Sequence, residues 1–165
     1  MRVNESRVFS ELRVCFNESS LINSCSGEGC NIDMAEVPSE RVVVNLEHEF
    51  DMRGRTEKRC DRLLFLIHPT ENNLVAAAIE LKRGRAVESD VIEKTENSLK
   101  FIAQIAPVSI RAQIIYTPVL FEGRGVKWTN PKGARQLKVF IHGKWLQILT
   151  GRCGRPRNLA DVLFG

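Results

Sequence analysis

The chain has 165 residues, of which 43% are hydrophobic and 27% charged, a composition that fits one soluble globular domain. No apolar run approaches the roughly 18–20 residues of a membrane-spanning helix. Residues 1–14 also lack the apolar segment of a signal peptide, so the sequence predicts a cytoplasmic protein without contact with a membrane. The net charge of +4 is uneven, because residues 108–165 hold ten Lys or Arg against Glu122 and Asp161. This basic excess suits a polyanion partner, although a solvated basic face is the simpler interpretation.

The segment before residue 41 carries the weakest pattern. Residues 6–14 suit a short helix and residues 13–16 suit a strand, and the sequence does not separate the two. A loop rich in Ser, Asn and Gly follows at 17–31. No clear helix is therefore predicted before residue 41.

The elements become clear beyond Pro38. Strands rich in apolar and β-branched residues are predicted at 41–50, 60–68 and 74–82. The polar turn at 69–73 joins the last two, so the three strands form an antiparallel meander. Glu47, His48 and Glu49 are interpreted mainly as a solvated strand end, with Glu47 and Glu49 on one face.

The apolar period then changes to that of a helix. One helical face is marked by residues three or four apart, namely Val91, Thr95, Leu99, Ile102 and Ala106. Ser89 or Asp90 is the expected N-cap, and Pro107 ends the helix. A strand at 111–121, a basic loop, a β-hairpin turning at 142–143 and a tail with one final turn complete the chain. The sequence thus predicts a single mixed α/β domain.

Three charged residues stand within or beside the second and third predicted strands. Side chains two apart in a strand share a face, so Glu80 and Lys82 point to the same side and Leu81 to the other. If these strands pair as a hairpin, Asp61 at the start of one lies beside Glu80 at the end of the other. Two adjacent carboxylates repel unless a cation separates them, and oxygen ligands suit Mg²⁺ or Mn²⁺. A neighbouring lysine can orient water or stabilise a developing phosphorane, which favours phosphodiester hydrolysis.

Asp61 precedes one apolar strand, Glu80-Leu81-Lys82 ends the next, and a helix and a strand follow. This arrangement resembles that of the PD-(D/E)XK nuclease superfamily. Cys60 stands where the motif has Pro. The resemblance implies a restriction-endonuclease-like core, a mixed sheet flanked by helices in the order α-β-β-β-α-β. It places a nuclease-like domain over residues 1–165, with its core at about 41–121 and a basic extension with the hairpin at 122–165.

The resemblance also implies roles for residues. Asp61, Glu80 and the main-chain carbonyl of Leu81 would hold Mg²⁺ or Mn²⁺, and Lys82 would act on the attacking water. An additional acid, Glu40 or else Glu36, would join them. The implied activity is that of a metal-dependent endonuclease, with DNA as the commoner substrate of the superfamily, and a homodimer is a further implication.

The residues expected to contact nucleic acid are basic and lie after the motif or in the C-terminal third: Arg83, Arg85, Lys127, Lys132, Arg135 and Lys144. Trp128 and Trp145 lie among these charges. For a Trp the core is the commoner place, and stacking on bases is the alternative. An exposed salt bridge among Asp61, Glu80 and Lys82 is the simpler interpretation of those three residues.

Two other functions remain open on the sequence. The first is a nuclease-fold protein that binds nucleic acid without cutting it. The second is a zinc or iron–sulfur protein built on Cys15, Cys25, Cys30 and Cys60, although their spacing is not that of a zinc finger. The odd total of five cysteines, with Cys153, favours reduced thiols over a disulfide scaffold, and a redox-formed bridge is the remaining alternative.

Overall fold

The computed structural model describes residues 5–129 and 135–165. The strands are β1 (Leu21–Ile22), β2 (Arg41–Asn45), β3 (Arg62–Ile67), β4 (Leu74–Lys82), β5 (Ala86–Val87), β6 (Ile114–Glu122), β7 (Val126–Lys127), β8 (Lys138–Ile141), β9 (Lys144–Gln147) and β10 (Leu149–Arg152). The helices are α1 (Glu5–Arg13), α2 (Leu46–Met52), α3 (Glu88–Ile105), α4 (Val108–Arg111) and α5 (Asn158–Phe164), with a short 3₁₀ turn at Glu18–Ser20.

Six strands form one mixed sheet in the order β1-β2-β3-β4-β6-β10. Strands β1 to β4 pair antiparallel with one another, whereas β6 lies parallel to β4 and β10 parallel to β6. The crossover from β4 to the parallel β6 contains α3, since a parallel pair cannot be closed by a tight turn. The predicted α/β class, the antiparallel meander and the C-terminal hairpin of β8 and β9 are therefore confirmed.

Both faces of the sheet are covered. One face packs against α1, α2, α3 and β8, through side chains such as Phe9, Phe50, Phe101 and Val139. The other face is covered by α5 and by a loop segment that contributes Cys25, Ile32 and Val37. Since β4 lies between the two layers, eight of its nine residues are buried, which explains its continuous apolar run.

The predicted strand at 41–50 is half wrong, because β2 ends at Asn45 and α2 begins at Leu46. The side-chain oxygen of Asn45 accepts a hydrogen bond of 3.2 Å from the N–H of His48 and so caps the helix. Glu47 and Glu49 fall in its first turn, where acids suit the positive end of the helix dipole. They therefore lie on a helix, not at a solvated strand end, and Glu49 is fully buried.

Three other local expectations differ from the structure. A helix, α1, does precede residue 41. The N-cap of α3 is Val87, without a side-chain cap, rather than Ser89 or Asp90. The C-terminal tail holds the seven-residue helix α5. The predicted buried face of α3 and its end before Pro107 are confirmed.

Residues 122–165 are built into the fold. Strand β10 extends the main sheet beside β6, and Leu137, Val139 and Ile148 are buried in the core. The hairpin turns where predicted, at His142 and Gly143, whose positive φ angles of 51° and 77° suit a two-residue turn between antiparallel strands. Within residues 5–129 and 135–165 there is no helix with the length and apolar character needed to cross a membrane.

Candidate metal centre

Asp61 lies directly before β3 and beside the end of β4. Its N–H donates to the carbonyl oxygen of Ile79 at 3.1 Å, and its carboxylate Oδ2 accepts the N–H of Leu81 at 2.8 Å. These two bonds flank Glu80, so strand pairing brings Asp61 and Glu80 together as expected. The bond from the N–H of Leu81 also holds the Asp61 side chain against β4.

Glu80 is the buried acid of the site, with 2% of its surface exposed. Its Oε2 accepts a hydrogen bond of 2.7 Å from Lys94 Nζ on α3, whereas its buried Oε1 has no hydrogen-bond partner among the described residues. Burial, together with the adjacent Asp61 carboxylate, raises the pKa of Glu80 from 4.5 to about 8, and Lys94 opposes this shift. A cation beside Oε1 would supply the missing partner.

Lys94 is the fixed positive charge of the site. Its Nζ lies 3.2 Å from Asp90 Oδ2 as well as beside Glu80. Burial lowers the pKa of Lys94, but the hydrogen bonds and charges of Glu80 and Asp90 outweigh burial and hold it above its ordinary value. Lys94 therefore remains charged and occupies only one of the two Glu80 oxygens.

Lys82 ends β4 on the same side as Glu80 and is exposed. Within residues 5–129 and 135–165 its ammonium forms no hydrogen bond or ion pair. It lines a cleft of about 210 Å³ together with Glu28, Asp61, Glu80 and Lys94. The cleft thus combines two adjacent carboxylates, the ion-paired Lys94 and Lys82, whose ammonium has no partner among the described residues.

Two further acids lie beside Asp61. Glu28, Glu47 and Asp61 each place a carboxylate oxygen within 4.8 Å of the others. Among the described residues, this is the one group of three or more Cys, His, Asp or Glu side chains that could share a metal ion. Glu47 comes from α2 and Glu28 from the loop before β2, and both are exposed.

The expected additional acid, Glu40, is not at the site. It precedes Arg41, which pairs with Leu66, whereas the site lies at the other end of β3, next to Arg62. That prediction is therefore wrong, because β2 runs its full length between Glu40 and the cleft. Glu36, the alternative, pairs instead with Arg157 at 2.8 Å.

The turn that carries Glu28 is held from several sides. The N–H of Cys30 donates to the carbonyl oxygen of Gly27 at 2.7 Å, and Arg62 Nη2 donates to the carbonyl oxygen of Ser26 at 3.1 Å. A Cβ at Gly27 would lie 2.2 Å from Arg62 Nη2, so a larger residue there would displace the Arg62 guanidinium. The close packing of this turn against Arg62 fixes it near Asp61.

A disulfide bond joins Cys30 at the end of this turn to Cys153 after β10. The expectation of ordinary reduced thiols is therefore wrong for these two cysteines, while Cys15, Cys25 and Cys60 are free. The metal cluster on Cys15, Cys25, Cys30 and Cys60 is also contradicted. Cys30 is bonded elsewhere, and Cys25 and Cys60 are buried on opposite faces of the sheet.

A hydrogen bond of the Cys60 backbone explains why this position, where the PD-(D/E)XK motif has Pro, is not proline. The N–H of Cys60 donates a buried hydrogen bond of 2.8 Å to Ser98 Oγ on α3. Proline has no N–H and would leave this bond unmade. Burial, with the charge of Glu80, also raises the pKa of the Cys60 thiol to about 12, so the thiol stays neutral.

The basic residues expected to contact nucleic acid are only partly gathered. Arg83 lines the cleft, and its side chain packs over Gly29 beside Glu28. Arg85 and Lys127 are exposed at the turn before β5 and on its partner β7. Arg135 and Lys144 are exposed near and on the β8–β9 hairpin. Lys132 lies outside the described residues.

Sequence reasoning did not identify Glu28, Glu47 and Lys94 as residues of the site. Asn45 followed by Glu47 and Glu49 is a sequence pattern typical of a helix N-terminus, and it could have placed Glu47 in the first turn of α2. Lys94 lies three residues after Val91 on the predicted helix, close to the face that packs on the sheet. For Glu28 no local signal existed, since only the folded loop places it near Asp61.

The chain has no significant match among models of protein families, characterised proteins or solved structures.

Proposed function

We propose that this protein is a metal-dependent nuclease of the PD-(D/E)XK type that hydrolyses phosphodiester bonds in DNA. The observation that carries the proposal is the buried, unpartnered oxygen of Glu80 beside Asp61, in a cleft that also holds the free ammonium of Lys82. The order α1, the β2–β3–β4 meander, α3 and the parallel strand β6 supports it, because it agrees with the order of the restriction-endonuclease-like core.

The residues present fit a hard divalent cation such as Mg²⁺ or Mn²⁺, since every side-chain ligand is a carboxylate. Asp61, Glu80 and the carbonyl of Leu81 would hold it. Glu28 and Glu47 each add a carboxylate oxygen within 4.8 Å of one on Asp61. When bound, such an ion activates water and offsets charge that develops on the phosphate.

Lys82 and Lys94 have separate roles in this proposal. Lys94 pairs with Oε2 of Glu80 and leaves Oε1 available to hold a cation. Lys82, free and exposed at the mouth of the cleft, orients the attacking water and stabilises the negative charge of the transition state. Arg83, on the same rim, contacts a neighbouring phosphate of the strand.

The test is a cleavage assay on supercoiled plasmid and linear DNA with Mg²⁺, with Mn²⁺ or with EDTA. We expect cleavage only with a metal, and a loss of roughly 100-fold or more in Asp61→Ala and Lys82→Ala. Glu40→Ala, which removes an exposed acid far from the cleft, is the matched control and retains activity. Metal-dependent cleavage that survives in the Asp61 or Lys82 variant contradicts the assignment.

One observation favours a second function, a nuclease-fold module that binds DNA without cutting it. Lys94 already supplies Glu80 with a positive charge at 2.7 Å, so part of the cost of the buried acid is offset without a metal. Such a module binds DNA in a salt-sensitive way, shows no turnover and is unaffected by EDTA. The same assay, paired with binding measurements, distinguishes the two.

A further inference from the structure

The β8–β9 hairpin presents two aromatic rings to solvent. Of the eleven Phe, Trp and Tyr residues, all of which are described, only Phe140 and Trp145 are at least half exposed, at 51% and 61%. They are direct partners across the two strands, and their ring centroids lie 5.2 Å apart. The opposite face of the hairpin buries Val139 and Ile141 in the core, so the hairpin is anchored and the aromatic face is held outward.

The charge around these rings is positive. Lys138 Nζ lies 4.9 Å from the centroid of the Trp145 ring, and Lys144 is the residue before Trp145. Residues 135–147 contain three Lys or Arg and no Asp or Glu. Aromatic rings with adjacent lysines form the surface that proteins use to stack bases and neutralise phosphates of an unpaired strand.

We infer that the aromatic face of this hairpin, formed by Lys138, Phe140 and Trp145, binds single-stranded DNA by stacking unpaired bases on Trp145 and Phe140. Base faces are accessible in a single strand and covered in a duplex, so the rings select the unpaired strand. A second copy of the chain is disfavoured as the occupant, because a symmetric contact would bring the same lysines together. The choice of DNA rests on the proposed function, whereas the binding surface itself does not involve the cleft.

The experiment measures binding in EDTA, so that nothing is cut. A fluorescein-labelled oligothymidylate of about 16 nucleotides is titrated with protein and followed by anisotropy, alongside a duplex of equal length. We expect the single strand to bind more tightly than the duplex. We also expect Trp145→Ala to weaken its binding roughly tenfold, and Trp145→Phe, which keeps a ring, to retain most of the affinity.

Two controls make the result specific. Val108→Ala removes an apolar side chain that is 80% exposed outside the hairpin and leaves binding unchanged. In a Trp128→Phe protein, Trp145 is the one remaining Trp, and its fluorescence is quenched when the oligonucleotide stacks on it. Circular dichroism checks that each variant is folded.

Several outcomes overturn the inference: equal binding of the single strand by wild type and Trp145→Ala, tighter binding of the duplex, or a dimer in sedimentation that Trp145→Ala dissociates. Failure of the proposed function looks different. A protein that binds the single strand through Trp145 but never cleaves DNA with Mg²⁺ retains the hairpin surface and loses the nuclease. A protein that cleaves DNA while Trp145→Ala binds normally loses only the hairpin surface.

Discussion

Lys94 on α3 donates a hydrogen bond of 2.7 Å to the carboxylate of Glu80 on β4, and this contact ties the helix to the sheet at the candidate metal centre. Glu80 is almost fully buried, while Lys94 keeps 26% of its side chain exposed. The pair therefore couples the stability of the fold to the charge of the site, because removing either residue leaves the other without its ion-pair partner.

The first prediction concerns this pair. Glu80 keeps its proton until about pH 8, so at pH 7 Lys94→Met removes a hydrogen bond from a charged donor to a buried neutral acid. We expect the free energy of unfolding at pH 7 in EDTA to fall by about 2 kcal/mol. Urea denaturation measures it. The matched control is Lys100→Met on the same helix. Lys100 Nζ lies 2.8 Å from Oε1 of Glu96, and both side chains are exposed, so this substitution should cost about 0.5 kcal/mol. Equal effects of the two substitutions would show that the buried pair does not stabilise the fold.

The second prediction is a pH dependence of stability that originates at Glu80. The unfolded carboxyl releases its proton near pH 4.5, whereas in the folded protein the raised pKa keeps the proton until about pH 8. The contribution of Glu80 to stability is therefore fully present below pH 4.5 and is lost as the pH rises to about 8. The slope within this window is at most about 1.4 kcal/mol per pH unit.

Glu80→Gln isolates this effect, since glutamine has a similar shape and does not titrate. Urea denaturation in EDTA at several pH values across the window should give a smaller decline of stability with pH for the variant than for wild type. Parallel curves for the two proteins would place the titration elsewhere.

The third prediction separates two acids of one helix turn. Glu47 places a carboxylate oxygen within 4.8 Å of one on Asp61 and pairs with the partly exposed Arg59 at 3.2 Å. Glu47→Ala should therefore weaken Mn²⁺ binding about tenfold and change stability by less than about 1 kcal/mol. Glu49 is buried and accepts hydrogen bonds from Arg53 and Asn17. Glu49→Ala should therefore cost about 3 kcal/mol of stability.

Mn²⁺ binding followed by electron paramagnetic resonance, together with urea denaturation, checks both halves. In the folded fraction of the Glu49→Ala protein, Mn²⁺ affinity should match that of wild type. Weaker Mn²⁺ binding in the Glu49 variant than in the Glu47 variant would reverse the roles given to the two residues.

The parts of the site that were predictable are those carried by strand pairing. A polar turn between two apolar runs sets the register of β3 and β4, and that register alone brings Asp61 beside Glu80. The face of α3 was predictable for a similar reason, since Val91, Thr95 and Leu99 recur with the helical period.

The remaining parts depend on contacts that no local pattern encodes. Glu28 reaches Asp61 through a loop whose course is set by Arg62 and by a disulfide bond to Cys153. Five cysteines do not specify their own pairing. At residues 41–50 a β-branched run favoured a strand throughout, whereas the Asn45 cap converts the second half into α2.

The fourth prediction concerns the disulfide bond between Cys30 and Cys153. It spans 123 residues, so its loss should lower the free energy of unfolding by about 5 kcal/mol in the chain-entropy description. The bond also fastens the Glu28 turn beside β4, because Cys153 Sγ lies 3.7 Å from the carbonyl oxygen of Lys82. We therefore expect the Cys30→Ser/Cys153→Ser protein to bind Mn²⁺ more weakly as well.

Reduction of wild type should reproduce both changes, and the same reductant should leave the double variant unaffected. Cys15→Ser, which removes a free and partly buried thiol outside the site, is the matched control. Thiol titration of the unreduced protein in denaturant tests the bond itself. Three reactive thiols agree with the bond, whereas five would refute it and leave the Glu28 turn without a covalent link to Cys153.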